Sequence, residues 1–181
     1  MKKTDAESIL DNALSLIRLR GYKGTSMADI GKASGLLKGS IYYHFPSKEA
    51  ILSRAIDRLS DTFEKQFFAL SEDESITEKQ RLDAMVSAME DYFIKDKSCV
   101  MAHISMEAME DTFQVRDQIQ TFFRRWRSAF ASVLVTHHGD SNAWRLAEDA
   151  ISQLEGAVLW LSIFDDPAPL KRMCNKIREL L

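Results

Sequence analysis

Seven glycines and three prolines are all the punctuation that 181 residues contain. Average usage would place about 7% Gly and about 5% Pro in a chain of this kind. Sandwiches and barrels turn often and draw heavily on both residues, and disordered chains are rich in proline. This chain has few places to turn and long stretches without a break. Long helices joined by few loops satisfy that restriction. Hydrophobic residues make up 45% of the chain. A domain of this length buries roughly 70% of its unfolded surface, enough for a core that needs no staples.

Periodicity points the same way. Thr4 and Glu7 form a capping-box pattern, and Ile9, Leu10, Ala13, Leu16 and Ile17 follow at helical spacing. Gly21 suits the left-handed residue that ends such a helix, after Arg18 and Arg20 in the last turn. Ser26 and Asp29 repeat the capping pattern before a two-turn helix that Ser34-Gly35 stops. A third short helix is predicted over about Leu37 to His44. Ser47 can cap a fourth, which the apolar stripe carries to about Leu70, and Ser71 to Ser75 reads as a linker. Further helices are predicted from Thr77 to about Ile94, from Val100 to Met109 and from about Gln114 to Thr136. His138-Gly139-Asp140 reads as a turn, with Ser141 or Asn142 capping a helix to about Phe164. Pro167 opens a last helix that closes at Leu181. No segment alternates with period two over a useful length. The expected fold class is all-α, with about nine helices.

The net charge of −3 disfavours a nucleic-acid partner if taken whole. Its distribution reverses that inference. Residues 1–58 hold ten Lys/Arg against six Asp/Glu, and residues 59–181 hold fourteen against twenty-one. A basic module on an acidic body is the expected arrangement. Cys99 and Cys174 match no zinc or disulfide framework. No apolar region follows Lys2 and Lys3, and no run of 18 apolar residues occurs, so a cytoplasmic protein is expected. His137 and His138 with Asp140 read as a solvated turn, because adjacent histidines have no fixed ligand geometry. No metal and no cofactor is expected.

The segment from Ser26 to His44 has helix-turn-helix spacing, in which the second helix enters the DNA major groove. Ile41 and Phe45 would face a small core. Lys38, Gly39, Ser40, Tyr42, Tyr43 and His44 would face outward, none of them acidic. Lys, Ser and Tyr are ordinary donors to phosphate oxygens, the Tyr42 ring can meet a thymine methyl, and Gly39 permits close approach. Lys48 lies in the first turn of the fourth helix, where its ammonium and free N–H groups would form an anion site.

These residues carry a resemblance. Gly21 through Ile30, Gly35, and Lys38 through Glu49 resemble the DNA-binding domain of the TetR family of transcriptional regulators, over residues 4 to about 58. The resemblance implies a helix-turn-helix head, residues 1–47, with a fourth helix connecting to a ligand-binding and dimerisation body, residues 48–181. It implies DNA contact by Lys38, Gly39, Ser40, Tyr42, Tyr43 and His44, and phosphate contact by Thr25, Ser26 and Lys48. It also implies, as the family's usual mode, repression relieved by a small molecule. One departure is visible: Leu37 stands where the family commonly has a capping Ser. Cys99 to Glu107, Arg125-Trp126 and Leu154 to Ala157 resemble one branch of the family's C-terminal domains.

In the body, Phe63, Phe67, Met85, Met89, Tyr92, Phe93, Met101, His103, Met106, Phe122, Trp126 and Trp160 are the candidate effector-binding set, a pattern that ordinary core also produces. Glu107 suits either a cationic ligand or an arginine of the next helix. The last two helices are apolar on more than one face, so Asn142–Phe164 and Pro167–Leu181 are expected to form a homodimer interface. The functional expectation is a DNA-binding regulator, a repressor of a pseudo-palindromic operator released by an effector. Two alternatives stand: a helix-turn-helix protein without a ligand response, and an all-helical enzyme. The enzyme lacks any visible nucleophile–base or metal constellation.

Overall fold

The computed structural model describes residues 5–108 and 113–181, without the side chains of Asp5, Lys38 and Ala108. Thr4 of the first capping pattern and Met109 lie outside the described residues. Among these residues there are nine α-helices, one 3-10 helix and no strand. They are α1 (Asp5–Arg20), α2 (Met27–Ala33), α3 (Lys38–His44), α4 (Lys48–Gln66), the 3-10 helix (Phe68–Glu72), α5 (Glu78–Asp96), α6 (Val100–Ala108), α7 (Phe113–His138), α8 (Asp140–Phe164) and α9 (Ala168–Arg178).

Two compact units share the chain. The first takes Met1–Ser60 and Val100–Gln120, and the second takes Asp61–Cys99 and Thr121–Leu181. In the first, Ile9, Ala13 and Ile17 of α1, Ile30 of α2, Ile41 of α3 and Ile51, Leu52 and Ile56 of α4 form a closed apolar core. Arg58 of α4 clamps the outside of α1, with its guanidinium 3.1 Å from Glu7 and 2.7 Å from Asp11.

The local signals act as their chemistry requires. Gly21 sits at φ +74° and Gly35 at φ +66°, each just past a helix end. Ser26 and Asp29 close a full capping box on α2. The Ser26 hydroxyl, then the Ser26 N–H, holds the Asp29 carboxyl below its usual range. Ser47 accepts from the Ala50 N–H at 3.2 Å and so caps α4. Thr77 and Gln80 form the same reciprocal box on α5.

Several boundaries differ from the sequence expectation. The fourth helix stops at Gln66 rather than Leu70, and a 3-10 turn follows. Phe67 and Phe68 are both buried, although consecutive residues on an α-helix point about 100° apart. Leaving the helix at Phe67 lets both rings turn inward. The eighth helix starts at Asp140 and has no side-chain cap. Gly139 at φ +71° reverses the chain within one residue, so His137 and His138 stay in the last turn of α7. His138 Nε2 lies 2.7 Å from the Leu180 carbonyl oxygen. The last helix ends at Arg178, not Leu181.

In the second unit, nine rings from α4, the 3-10 helix, α5 and α7 contact one another with Trp126 near the centre. Their centroids are 4.7 Å apart for Phe63–Phe67 and 6.5 Å for Trp126–Phe130. Around that core, Arg125 binds Glu64 at 2.6 Å and Glu72 at 2.7 Å. Arg178 of α9 binds Glu90 of α5 at 2.8 Å. Cys174 is buried beside Glu90, and burial first, then that carboxylate, pushes its thiol up to about 12. Helix α8 buries Ala147, Leu154, Val158 and Leu161 but leaves Leu159, Trp160, Ile163 and Phe164 exposed.

Candidate nucleic-acid interface

Helix α3 is short, and one side chain anchors it: Ile41 is fully buried. Phe45, the C-cap, is also buried, and its N–H donates to the Ile41 carbonyl. Turning 100° per residue away from Ile41 brings the opposite face outward. Tyr43 is 88% exposed and Tyr42 44%, so the outer face is aromatic and hydroxylated. His44 is half-buried, with its ring edge-on to Tyr43 at 5.3 Å. Ser40 is also half-buried. At Gly39 a Cβ would meet no atom within 4 Å, so the backbone there is open to an approaching surface. The side chain of Lys38 lies outside the described residues.

The start of α3 follows from its sequence. Leu37 occupies the N-cap with extended backbone and makes no side-chain hydrogen bond. A Ser there would stabilise the helix by about 1 kcal/mol. Leu37 is 83% exposed instead.

The three expected phosphate residues are placed differently from one another. Thr25 is buried. Its hydroxyl donates to the Gly21 carbonyl at 2.8 Å and its N–H to the Tyr22 carbonyl at 3.2 Å. Both donors are committed inside the loop, so Thr25 shapes that loop and does not face outward. Ser26 is exposed at the start of α2, with its hydroxyl in the capping box. Lys48 is half-buried. Its Nζ donates to the Tyr22 carbonyl at 3.0 Å and lies 4.0 Å from the centre of the Tyr22 ring. The Tyr22 hydroxyl in turn donates to Glu49 at 3.1 Å. The Glu49 carboxyl sits below its usual range, chiefly through its own backbone N–H and then the Ser47 hydroxyl. Periodicity gave no hint of this arrangement, because its members lie 26 residues apart.

Glu107 has a partner that its position did not suggest. Its carboxylate accepts from the Lys23 backbone N–H at 3.0 Å and closes over Gly21. A charge at a helix terminus, 84 residues away in sequence, leaves no local signature.

The effector candidates divide. Phe63, Phe67, Met85, Met89, Phe93, Phe122 and Trp126 are buried in the second unit, and Tyr92 is half-buried there. Met101, His103 and Met106 lie on α6 in the first unit, with Met101 buried and Met106 exposed. Trp160 lies on the exposed side of α8 against Phe164, with ring centres 4.3 Å apart. Trp126 Nε1 and His103 Nδ1 have no hydrogen-bond partner among the described residues. Glu155 is buried enough to push its carboxyl above the usual range, against the opposing hydrogen bond from the Cys99 thiol. Among the described residues no group of three or more His, Cys, Asp and Glu is placed to hold a metal, and no helix is long and apolar enough to cross a membrane.

Comparison with known proteins decides what this head is. The family described as bacterial regulatory proteins, tetR family, matches residues 9–55. The C-terminal domain described as that of LmrA/YxaF-like transcriptional regulators matches residues 79–176, more than half of the chain. The chain belongs to the TetR family. It is a DNA-binding transcriptional regulator. The chain is 24% identical to the HTH-type transcriptional repressor DhaR of Mycobacterium sp. (strain GP1), over 97% of this chain and 91% of that protein. It is 26% identical to the HTH-type transcriptional regulator LmrA of Bacillus subtilis (strain 168), over 97% and 95%. The crystal structure of a TetR transcriptional regulator from Legionella pneumophila superposes with a TM-score of 0.88 at 26% identity, over 100% of both chains. TetR-family regulators bind DNA and typically act as dimers with small-molecule effectors.

Proposed function

We propose that this TetR-family regulator is a cytoplasmic repressor that binds a pseudo-palindromic operator as a homodimer and leaves it when a small molecule binds the body. The observation that carries the DNA half of this reading is α3 itself. Its one inward anchor is Ile41, and its outward face is Gly39, Tyr42 and Tyr43 with no acidic side chain. Tyr42, Tyr43, His44 and Ser40 read the groove together with Lys38. Ser26 and Lys48 hold the phosphates on either side. Lys48 is well placed for that task, because the Tyr22 ring and carbonyl already fix its ammonium.

Dimerisation is supported by the exposed Leu159, Trp160, Ile163 and Phe164 on α8, beside Gly156, where a Cβ would meet nothing. A two-fold dimer matches two half-sites related by the same symmetry. The effector site is supported by the aromatic and methionine side chains of the body and by the unpartnered Trp126 Nε1. A ligand acts by binding the DNA-free state more tightly than the DNA-bound one.

The test is selection of duplexes from a random-sequence pool by the full chain, with its mass measured by light scattering. A two-fold symmetric enriched sequence and a dimer mass are expected. A monomer, or a pool with no enriched sequence, refutes the reading. Retained operator binding across a broad effector library would favour the regulator without a ligand response.

A further inference from the structure

We propose that Leu37 is a base-reading residue, and that its side chain contacts the C5-methyl group of a thymine in the operator. The proposal rests on the reading of α3 as the helix that enters the major groove. It adds a residue that lies just outside that helix.

Three observations meet at this position. Leu37 is among the most exposed large apolar side chains of the protein, 83% open to solvent. It is the N-cap of α3, and the N-terminal residues of a recognition helix are those that contact base edges. It also makes no capping hydrogen bond, so its side chain does nothing for the helix it begins. An isolated exposed leucine needs no explanation on an ordinary surface. Here the polar side chain that would stabilise the helix is absent from the one end that approaches DNA. Just beyond, at Gly39, a Cβ would meet no neighbouring part of the protein within 4 Å, so the surface there is open to an approaching groove.

The chemistry of the groove selects the occupant. The major groove offers hydrogen-bonding groups on every base pair and only one apolar feature, the methyl group of thymine. An aliphatic side chain forms no hydrogen bond and loses nothing by excluding water from a methyl. The neighbouring hydroxyls of Ser40, Tyr42 and Tyr43 meet the polar groups and the phosphates. Leu37 thus adds apolar discrimination at the operator position nearest the start of α3, one position in each half-site of a two-fold site.

Deoxyuridine tests this cleanly, because it differs from thymidine only by that methyl. The full chain first selects its site from a random duplex pool. Each thymine of the selected duplex is then replaced in turn by deoxyuridine, and binding is measured for the parent, Leu37→Ser and Leu37→Met. Leu37→Ser supplies the missing cap, so it does not weaken the fold. Burial of one methyl predicts that the parent binds about four-fold less tightly per substituted half-site, and about fifteen-fold less with both. This loss is confined to one symmetric thymine position. Leu37→Met keeps the discrimination, and Leu37→Ser binds the two duplexes equally. A flat deoxyuridine scan, a site with no thymine at the discriminating position, or an unchanged ratio in Leu37→Ser overturns the proposal while leaving α3 as the reading helix. An unselected pool, with nothing enriched, overturns the reading beneath it as well.

Discussion

Replacing Gly21 by Ala should destabilise the head through two separable effects, and a double-mutant cycle should resolve them. Gly21 has φ +74°, which an L-residue adopts at a cost of about 1–2 kcal/mol. The new Cβ would also land on the Glu107 carboxylate. That carboxylate accepts the Lys23 N–H at 3.0 Å, so moving it aside breaks an exposed, charge-assisted hydrogen bond of about 1 kcal/mol. Gly21→Ala should therefore cost about 2–3 kcal/mol. Glu107→Ala alone should cost about 1 kcal/mol. In the double variant the carboxylate is already gone, so only the backbone strain is added. The double variant should be less destabilised than the sum of the singles, by about 1 kcal/mol. Amide hydrogen exchange at Lys23 and along α1 reads the head directly, which whole-chain unfolding does not in a protein of two compact units. Additivity within error would refute the contact. A cost below 0.5 kcal/mol for Gly21→Ala, about the size of an ordinary surface change, would refute the strain argument as well.

Three further outcomes are expected. Lys48→Ala should weaken binding to all DNA sequences about equally and lower the slope of log affinity against log salt by about one unit, measured by fluorescence anisotropy across a salt series; an unchanged slope would remove Lys48 from the phosphate contacts. Glu155 has its carboxyl raised by burial in the folded state above the usual 4.5, so the unfolded chain loses that proton first as pH rises. Its contribution should fall as pH climbs from 4.5 to the folded value and stay level above it. Glu155→Gln, which keeps an acceptor for the Cys99 thiol, should flatten that part of the profile in urea titrations between acid and neutral pH; identical profiles would refute the argument. Ile163→Asp puts a charge on the exposed apolar face of α8 and should yield a monomer by light scattering, with operator affinity reduced; a dimer of parental strength would place the interface elsewhere.

The head was legible wherever its chemistry is local. The Ser26–Asp29 capping pair, a glycine after an apolar run and Ser47 before Lys48 each act over a single turn, and each forms as its local sequence implies. Ile41 against Tyr43 is likewise a question of helical phase alone. Contacts across many residues left no such mark. Nothing near Glu107 announces Gly21, and nothing near Lys48 announces the Tyr22 ring, because both depend on which helices the fold brings together. The end of α4 departs from its sequence pattern for a related reason. A run of apolar residues to Leu70 extends a helix on paper, but two adjacent phenylalanines that must both be buried break it. In the body, a core and an effector pocket need the same methionines and aromatics at the same spacing. Sequence pattern alone therefore did not separate the buried Trp126 from the exposed Trp160.

The first compact unit has an order of manufacture built into it. It consists of Met1–Ser60 and Val100–Gln120, with residues 61–99 belonging to the other unit. A ribosome releases α1, α2 and α3 early, with the core residues Ile9, Ile30 and Ile41 already in hand. The second segment of the unit, Val100–Gln120 with Glu107, follows only some sixty residues after α3, roughly 3–12 s later at ordinary rates of synthesis. For that interval the turn at Gly21 stands without its carboxylate and the Lys23 N–H faces water. Newborn heads thus pass through a stage that lacks this tie, and a chain that ends between α4 and residue 107 would stay in it.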